Sequence, residues 1–149
     1  MSTLRLEILT IERKLFDDEV NMVIAPGSEG ILGILPRHTP LLTALSYGEL
    51  QVKKAGEVDH FFAIGGGFME VQPRHVIVMA DSAERADEID VNRAEAARRR
   101  AEEFLNKAKT DTTIDLERAE AALRRSITRI KAAQRRRRKE RPSRPVGSG

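Results

Sequence analysis

At 149 residues the chain is long enough for one ordinary domain, or for a small domain with an appendage, and it has no cysteine, which excludes disulfides and thiolate metal sites. No apolar run approaches the roughly 20 residues that a bilayer span needs, so we expect membrane association only through a partner. Residues 1–88 hold 8 Lys and Arg against 14 Asp and Glu, whereas residues 89–149 hold 18 against 9, which indicates an acidic piece and a basic piece that seeks an acidic protein surface, a nucleic acid or an anionic ligand.

The first 80 residues are predicted to form short β-strands. Residues 3–11 alternate apolar and polar side chains, and Val20, Met22 and Ile24 repeat the pattern after an acidic segment, residues 17–19, that we interpret as a turn. Turn residues separate six further candidates at even spacing, which favours a β-sandwich or a flattened barrel. These candidates are residues 30–34, 41–45, 48–54, 58–64, 68–71 and 75–80.

The acidic half carries no motif typical of catalysis. The glycine run at residues 65–67 lacks a following Lys-Ser/Thr and precedes a strand, so we interpret it as a bulge or a tight backbone crossing and not as a phosphate loop. His38, His60 and His75 have no metal-ligand spacing. We therefore predict no catalytic residue and no metal site.

A repeat dominates the basic half. Residues 89–97 and 114–122 are identical at seven of nine positions, and each copy begins with Ile-Asp and continues with Arg-Ala. This pattern predicts two helix starts, and the polar segment at residues 109–113 predicts that the helices fold back as an antiparallel hairpin. Alanines recur along the predicted seam, and each buries little area, so we expect a hairpin that can undock without unfolding the β-domain.

Five arginines are predicted to lie along one groove of this hairpin. Arg93 and Arg100 share one face of the first helix, whereas Arg118, Arg125 and Arg129 share a face of the second. Like charges at close range call for an anion between them, and guanidinium groups suit phosphate oxygens, so one interpretation is a polyphosphate site. The other interpretation is a solvated basic face with neighbouring glutamates as partners.

The start of the repeat also has two interpretations. Ile89 and Ala94 could supply an apolar shelf for a nucleotide base, with Asp90 as a polar contact. Alternatively, Asp90 and Asp115 are early helix residues, where a carboxylate interacts favourably with the positive end of the helix dipole.

Two further segments have open roles. Residues 36–40, Pro-Arg-His-Thr-Pro, form a stiff loop that is either a docking surface or a plain connection between strands. Residues 135–141 hold six basic residues, and Pro142 follows, so we expect the helix to fray there and leave a basic tail. Nucleic-acid binding by this tail is disfavoured because the basic stretch has no aromatic residue on which a base could stack.

Several segments resemble one known family. Residues 27–42 and 64–71 are similar to the N-terminal domain of the epsilon subunit of F-type ATP synthase, and residues 83–86 and 89–94 are similar to the start of that family's C-terminal domain. The resemblance runs from residue 3 to residue 134.

We expect an α+β fold with three segments. Two are implied by the resemblance, a ten-stranded β-sandwich over residues 1–86 and an antiparallel two-helix hairpin over residues 87–140, and the third is the disordered basic tail expected from the residues themselves, over residues 141–149. The run from Arg135 extends past the point where the family usually stops, and it could strengthen contact with acidic subunits or open the hairpin by self-repulsion.

The resemblance also implies a function. Family members are non-catalytic rotor subunits of the central stalk that contact the gamma subunit and the c-ring. Their helices restrain ATP hydrolysis by extending toward the alpha and beta subunits, and ATP is a regulatory ligand of the folded hairpin, with no cofactor required. A bacterial member lies at the cytoplasmic face of the cell membrane, as a peripheral protein held there by the complex. A free-standing ATP-sensing module is the alternative.

The family's functional positions fall on matching residue types in this chain. The implied ATP-contacting residues are Glu84, Ile89, Asp90, Arg93, Ala94, Arg100, Arg118, Arg125 and Arg129. The implied partner-docking residues are Glu29, Ile31, Leu35, Arg37 and His38.

Overall fold

A computed structural model describes the backbone of residues 2–140 and the side chains of residues 2–136. Its elements are β1 (Leu4–Leu9), β2 (Lys14–Val20), β3 (Met22–Gly27), β4 (Gly30–Ile34), β5 (Leu41–Lys53), β6 (His60–Val71), β7 (His75–Ala80), β8 (Ala83–Arg85), a 3-10 turn (Ala86–Glu88), α1 (Val91–Ala108) and α2 (Leu116–Glu140). The predicted tail at residues 141–149 lies outside the described residues.

The strands form one sheet in the order β2-β1-β7-β6-β5-β3-β4, and β8 pairs with β6 off this path. Only β1 and β7 are parallel among the described pairs. The sheet folds over on itself, and apolar side chains from both halves meet in one core. Fully buried members of this core include Leu4, Leu6, Ile8, Val23, Ile34, Leu50, Phe62, Ile64, Met69 and Val71.

The two longest strands change layers partway along their length. On β5, Leu45 and Leu50 both enter the core although they are five positions apart, an odd offset that puts them on opposite faces of a regular strand, so the inward face changes between them. On β6 the same change lies between Ile64 and Met69. The resemblance implies ten strands and the described residues form eight, because β5 and β6 each serve both layers as one continuous strand.

Glycine permits this change of face on β6. Gly66 and Gly67 have φ angles of 82° and 120°, which side-chain-bearing residues rarely adopt. A Cβ atom on Gly67 would also collide with the backbone of Met79 on β7. The predicted tight backbone crossing at residues 65–67 is therefore confirmed.

The acidic segment at residues 17–19 is not a turn, and that interpretation was wrong. It lies in β2, an edge strand that pairs only with β1 among the described strands. Asp17 accepts hydrogen bonds from Arg5 and Lys14, which satisfy its charge without a turn. Charged residues on an edge strand also discourage pairing with another chain.

The helical hairpin follows the predicted pattern, and the α+β fold of a β-sandwich followed by two helices is confirmed. Small residues fill the seam between α1 and α2, with Ala94, Ala101 and Ala119 all buried. Ser126 is buried as well, and its hydroxyl donates to the carbonyl oxygen of Ala122 at 2.9 Å. This bond satisfies the one polar side chain that the described part of the seam buries.

Candidate functional site

The C-terminal half of α2 lies on the outside of the sandwich, against β5, β6 and the 3-10 turn. The side chains in this contact form a second hydrophobic cluster, separate from the sandwich core. Its buried members, which we call the docking cluster, are Phe61, Ala63, Ala86, Ile89, Ala132 and Ala133. We call the sandwich surface formed by Phe61, Ala63 and Ala86 the docking face. Because four of the six members are alanine, which contributes little apolar area, Phe61 and Ile89 supply most of the apolar burial in this contact.

An ion pair joins α2 to β8 beside the docking face. The guanidinium of Arg129 donates to the two carboxylate oxygens of Glu84, from Nε at 2.6 Å and from Nη2 at 3.0 Å. This bidentate geometry is the strong form of a charge-assisted hydrogen bond. Both residues belong to the predicted ATP-contacting set, so an anion that approaches Arg129 competes with a carboxylate that already neutralises it.

A second charged contact involves Glu49 of β5 and Arg135 of α2. Nε of Arg135 lies 3.1 Å from Oε2 of Glu49. Burial raises the pKa of the Glu49 carboxyl, and the nearby charges of Arg135 and Lys131 offset this effect only in part. Sequence patterns gave no indication of this contact, because neither residue belongs to a motif.

A cavity of about 480 Å³ opens between the sandwich and α2, next to the Arg129–Glu84 pair. Arg125 and Arg129 of α2 line it from one side, and Arg13 of the β1–β2 turn lines it from the other. Hydroxyl groups of Ser82 and Thr128 add polar contacts. We call this space the interdomain cavity. Glu12, Asp81 and Glu84 line it as well, so its three arginines are matched by three carboxylates. An anionic ligand can bind the arginines here only by taking the place of a carboxylate partner.

A second cavity of about 580 Å³ lies between the two helices, near the turn that joins them. Arg100 of α1 and Arg118 of α2 line it, and Phe104 and Ile114 contribute apolar surface. We call it the hairpin cavity. The predicted arginines therefore divide between two cavities, two in each, and Arg93 lines neither of these two.

The two aspartates of the repeat begin the two helices in the same way. A carboxylate oxygen of Asp90 accepts a hydrogen bond from the backbone N–H of Arg93 at 3.1 Å, and Asp115 accepts one from Arg118 at 3.1 Å. This is the geometry of an N-cap, which satisfies a helix donor that otherwise lacks a partner. The near-identity of the two sequence copies therefore reflects two equivalent helix starts.

Ile89 and Ala94 are buried by protein in this conformation. Ile89 is 8% exposed and packs in the docking cluster, and Ala94 is fully buried. A nucleotide base would reach them only after movement of the helices. Their role in ATP binding stays a prediction.

The predicted docking loop, residues 29–38, is exposed, and its residues 30–34 form strand β4. Glu29, Ile31, Leu35 and Arg37 lie on the surface, and Ile31 is 80% exposed. His38 is partly buried, and its Nδ1 lies 2.6 Å from the carbonyl oxygen of Thr39. The loop presents apolar side chains to solvent, which is typical of a protein contact.

Three further exposed apolar side chains were missed by sequence reasoning. Leu42, Phe68 and Met79 lie on consecutive strands β5, β6 and β7, and Phe68 pairs with both Ala44 and Met79 across the sheet. We call Leu42, Ala44, Phe68 and Met79 the outer apolar face. The strand alternation contained the signal, because Phe68 and Met79 are out of phase with the buried Met69 and Val78.

The described part of the chain has neither a helix that could span a membrane nor a cluster of metal ligands. No described helix combines the length and the apolar character of a membrane span. Residues 2–136 contain no group of three or more His, Asp or Glu side chains placed to hold a metal ion.

Comparison with known proteins places both segments in one family. Residues 3–86 match the family described as ATP synthase, delta/epsilon chain, beta-sandwich domain, and residues 87–134 match its long alpha-helix domain. The ATP synthase epsilon chain of Desulforamulus reducens is 52% identical over 134 residues, which cover 89% of this chain and 98% of the relative. The epsilon chain of Pelotomaculum thermopropionicum is 56% identical over 131 residues, which cover 88% of this chain and 96% of that one.

Solved structures support the fold at lower identity. A chain in the cryo-EM structure of the Euglena gracilis mitochondrial ATP synthase, containing OSCP, F1 and the c-ring, superposes with a TM-score of 0.76 at 22% identity, covering 89% of this chain and 81% of that one. A chain of the Tetrahymena thermophila mitochondrial ATP synthase central stalk and c-ring superposes with a TM-score of 0.55 at 17% identity, covering 90% and 96%. With both domains matched in order and with close relatives covered almost end to end, the chain belongs to the ATP synthase delta/epsilon family, as an epsilon chain, a non-catalytic subunit of that complex.

Proposed function

We propose that this epsilon chain is a rotor subunit of the central stalk of a bacterial F-type ATP synthase, at the cytoplasmic face of the membrane. The sandwich couples rotation of the c-ring to the gamma subunit, and the hairpin regulates ATP hydrolysis. One observation carries the regulatory part: α2 is joined to the sandwich by an alanine-rich contact and by two ion pairs, outside the sandwich core. A contact of this kind can open while the sandwich stays folded.

The partners of the sandwich follow from its exposed apolar surface. The outer apolar face and the loop bearing Ile31 and Leu35 leave large side chains in solvent, and exposed apolar patches mark protein interfaces. We assign the outer apolar face to gamma and the loop from Glu29 to His38 to the c-ring. Both sets lie on the sandwich, so these contacts do not depend on the position of the hairpin.

The hairpin has the opposite charge character. Residues 89–149 carry nine more basic than acidic residues, and exposed arginines occur along both helices. An extended hairpin of this charge suits an acidic surface, for which we propose the alpha and beta subunits. Extension would restrain hydrolysis, and docking on the sandwich would relieve the restraint.

ATP is the proposed ligand that favours the docked state. The interdomain cavity combines arginines from α2 with Arg13 and hydroxyls from the sandwich, so a polyphosphate that replaces the Glu84 carboxylate on Arg129 would bridge the two parts. A ligand shifts a conformational equilibrium only through its different affinity for the two states, and a bridging ligand binds only the docked one. At an ATP concentration of 100 Kd this contributes about 2.7 kcal/mol to docking.

Calorimetric titration of the full chain with ATP tests the site. We expect saturable binding that weakens about tenfold or more in Arg125→Ala, because a hydrogen bond to a charged group contributes about 1.5–3 kcal/mol. The matched control is Arg124→Ala, which removes an exposed arginine of the same helix that lines neither cavity. Equal ATP affinity in Arg125→Ala and Arg124→Ala would show that the interdomain cavity does not bind the phosphates of ATP.

The regulatory role is tested in a reconstituted F1 complex. A chain truncated after residue 88 keeps the sandwich and removes both helices, so we expect higher ATP hydrolysis than with the full chain. A matched full-length control carries Arg124→Ala. Unchanged hydrolysis with the truncated chain would contradict restraint by the hairpin while leaving the assignment of the sandwich intact.

A further inference from the structure

Two carboxylates and one alanine form a row across the docking face. Glu84 of β8 pairs with Ala63 of β6, and Ala63 pairs with Glu49 of β5. Two strand spacings separate the carboxylate-bearing residues, which is roughly 9.6 Å. The small side chain between them leaves room for a helix to lie along the row.

The spacing of two arginines on α2 matches this row. Arg129 contacts Glu84 and Arg135 contacts Glu49. Six residues of α-helix rise roughly 9 Å, close to the separation of the two carboxylate positions. The helix is thus held at both ends of the row, with the buried Ala132 and Ala133 between the two contacts.

The two contacts are unequal. Glu84 forms a bidentate pair, whereas the side chain of Glu49 is only 15% exposed and its Oε2 is buried without a hydrogen bond from any described residue. The charged groups of α2 that act on Glu49 are Arg135 and Lys131, and its neighbour on β6 is the uncharged Ala63. A desolvated carboxylate with incomplete hydrogen bonding costs free energy unless a cation stays beside it.

We propose that Glu49 and Arg135 form a release latch for α2: docking buries the Glu49 carboxylate, and Arg135 is the cation that makes this burial tolerable. An acidic protein surface that captures Arg135 therefore leaves Glu49 buried and unpaired, and the helix lifts from the sandwich. Arg135 follows directly after residue 134, where the family match ends, so the latch uses the C-terminal extension of this chain. It does not depend on nucleotide binding.

The latch predicts that substitutions of its two residues have different effects on the protection of α2 amides, which amide hydrogen exchange of the full chain measures. Arg135→Ala is expected to lower the protection of α2 amides at residues 126–134 about tenfold or more, because it takes the exposed Arg135 cation away from the largely buried Glu49 carboxylate. Glu49→Gln is expected to leave this protection unchanged or to raise it, because it removes the charge that docking must desolvate. Arg135→Ala in the Glu49→Gln background is then expected to have little effect.

Arg124→Ala is the control for loss of one positive charge from the same helix, and α2 protection is expected to stay unchanged in it. If Glu49→Gln lowers protection as much as Arg135→Ala does, the pair is an ordinary stabilising ion pair and the latch is wrong. If Arg135→Ala leaves the protection of α2 amides unchanged, the Glu49–Arg135 contact does not hold α2 on the sandwich, and the latch is also wrong. The ATP titration tests the proposed function separately, because the hydrogen-exchange outcomes for these mutants do not depend on nucleotide.

Discussion

Replacing Ile89 by alanine separates the stability of the hairpin contact from the stability of the sandwich. Ile89 is 8% exposed and belongs to the docking cluster, outside the cluster that forms the sandwich core. The substitution removes three carbon atoms from a buried site between the helices and the sheet. Such truncations cost about 2–5 kcal/mol, and a cost near 3 kcal/mol corresponds to roughly 100-fold in the equilibrium between docked and undocked states.

Hydrogen exchange with peptide-level resolution measures this effect. Protection of amides in the second half of α2 is expected to fall by up to about 100-fold, while amides of β1 and β7 keep their protection. Ile11→Ala is the matched control, because Ile11 is 98% exposed and the same chemical change there removes almost no buried area. It is expected to alter neither set of amides.

Two results would contradict a hairpin that is held by the docking cluster and opens on its own. If the amides of α2 and of the sandwich lose protection together, the hairpin and the sandwich form one cooperative unit, and the hairpin does not open on its own. If Ile89→Ala leaves α2 unchanged, the docking cluster does not hold the helix.

Three further predictions concern the helix starts, the gamma contact and acid stability. Asp90→Ala and Asp115→Ala should each destabilise their helix by about 1 kcal/mol, seen as a lower helical melting temperature by circular dichroism, and an effect in only one of them would contradict equivalent capping. Phe68→Glu should abolish co-purification with gamma without lowering the melting temperature, and retained binding would move the contact elsewhere. Hydrogen bonds from basic partners lower the pKa of Glu7 and Asp17 in the folded sandwich, so urea unfolding should show stability lost as the pH falls below the ordinary carboxyl range, and equal stability at pH 7 and pH 3 would contradict this.

The pKa of Glu49 is shifted in the opposite direction to the pKa values of Glu7 and Asp17, so its effect on docking has the opposite dependence on pH. Its pKa is raised when α2 is docked, so the docked state binds the proton more tightly than the undocked state does. Docking is therefore expected to strengthen as the pH falls through the raised pKa toward the ordinary glutamate value, with no further change below that value. The ratio of α2 to sandwich protection measures this, and Glu49→Gln should abolish the pH dependence.

The helix starts were predictable because their determinants are local. Each Asp and the backbone N–H that it accepts from are three residues apart, so the capping signal lies within one turn of sequence. The seam alanines were predictable for the same reason, since helical periodicity is a local pattern. The tertiary contacts of the hairpin are compatible with these local patterns and do not override them.

The features that the sequence did not reveal depend on long-range contacts. The acidic residues of β2 suggested a turn, and what makes them a strand is the pairing with β1 and the partners Arg5 and Lys14. Helical spacing placed the arginines on faces but could not say where α2 crosses the sandwich. That crossing sends Arg129 to Glu84, 45 residues away in sequence, and separates its cavity from that of Arg100.

The most direct test of the account is hydrogen exchange of the full chain across an ATP titration. Protection of α2 amides is expected to rise with ATP concentration, by about 100-fold at 100 Kd, while protection of the sandwich amides stays constant. Protection of α2 that does not change with ATP, or that changes equally in the sandwich, would contradict an ATP-stabilised docked hairpin.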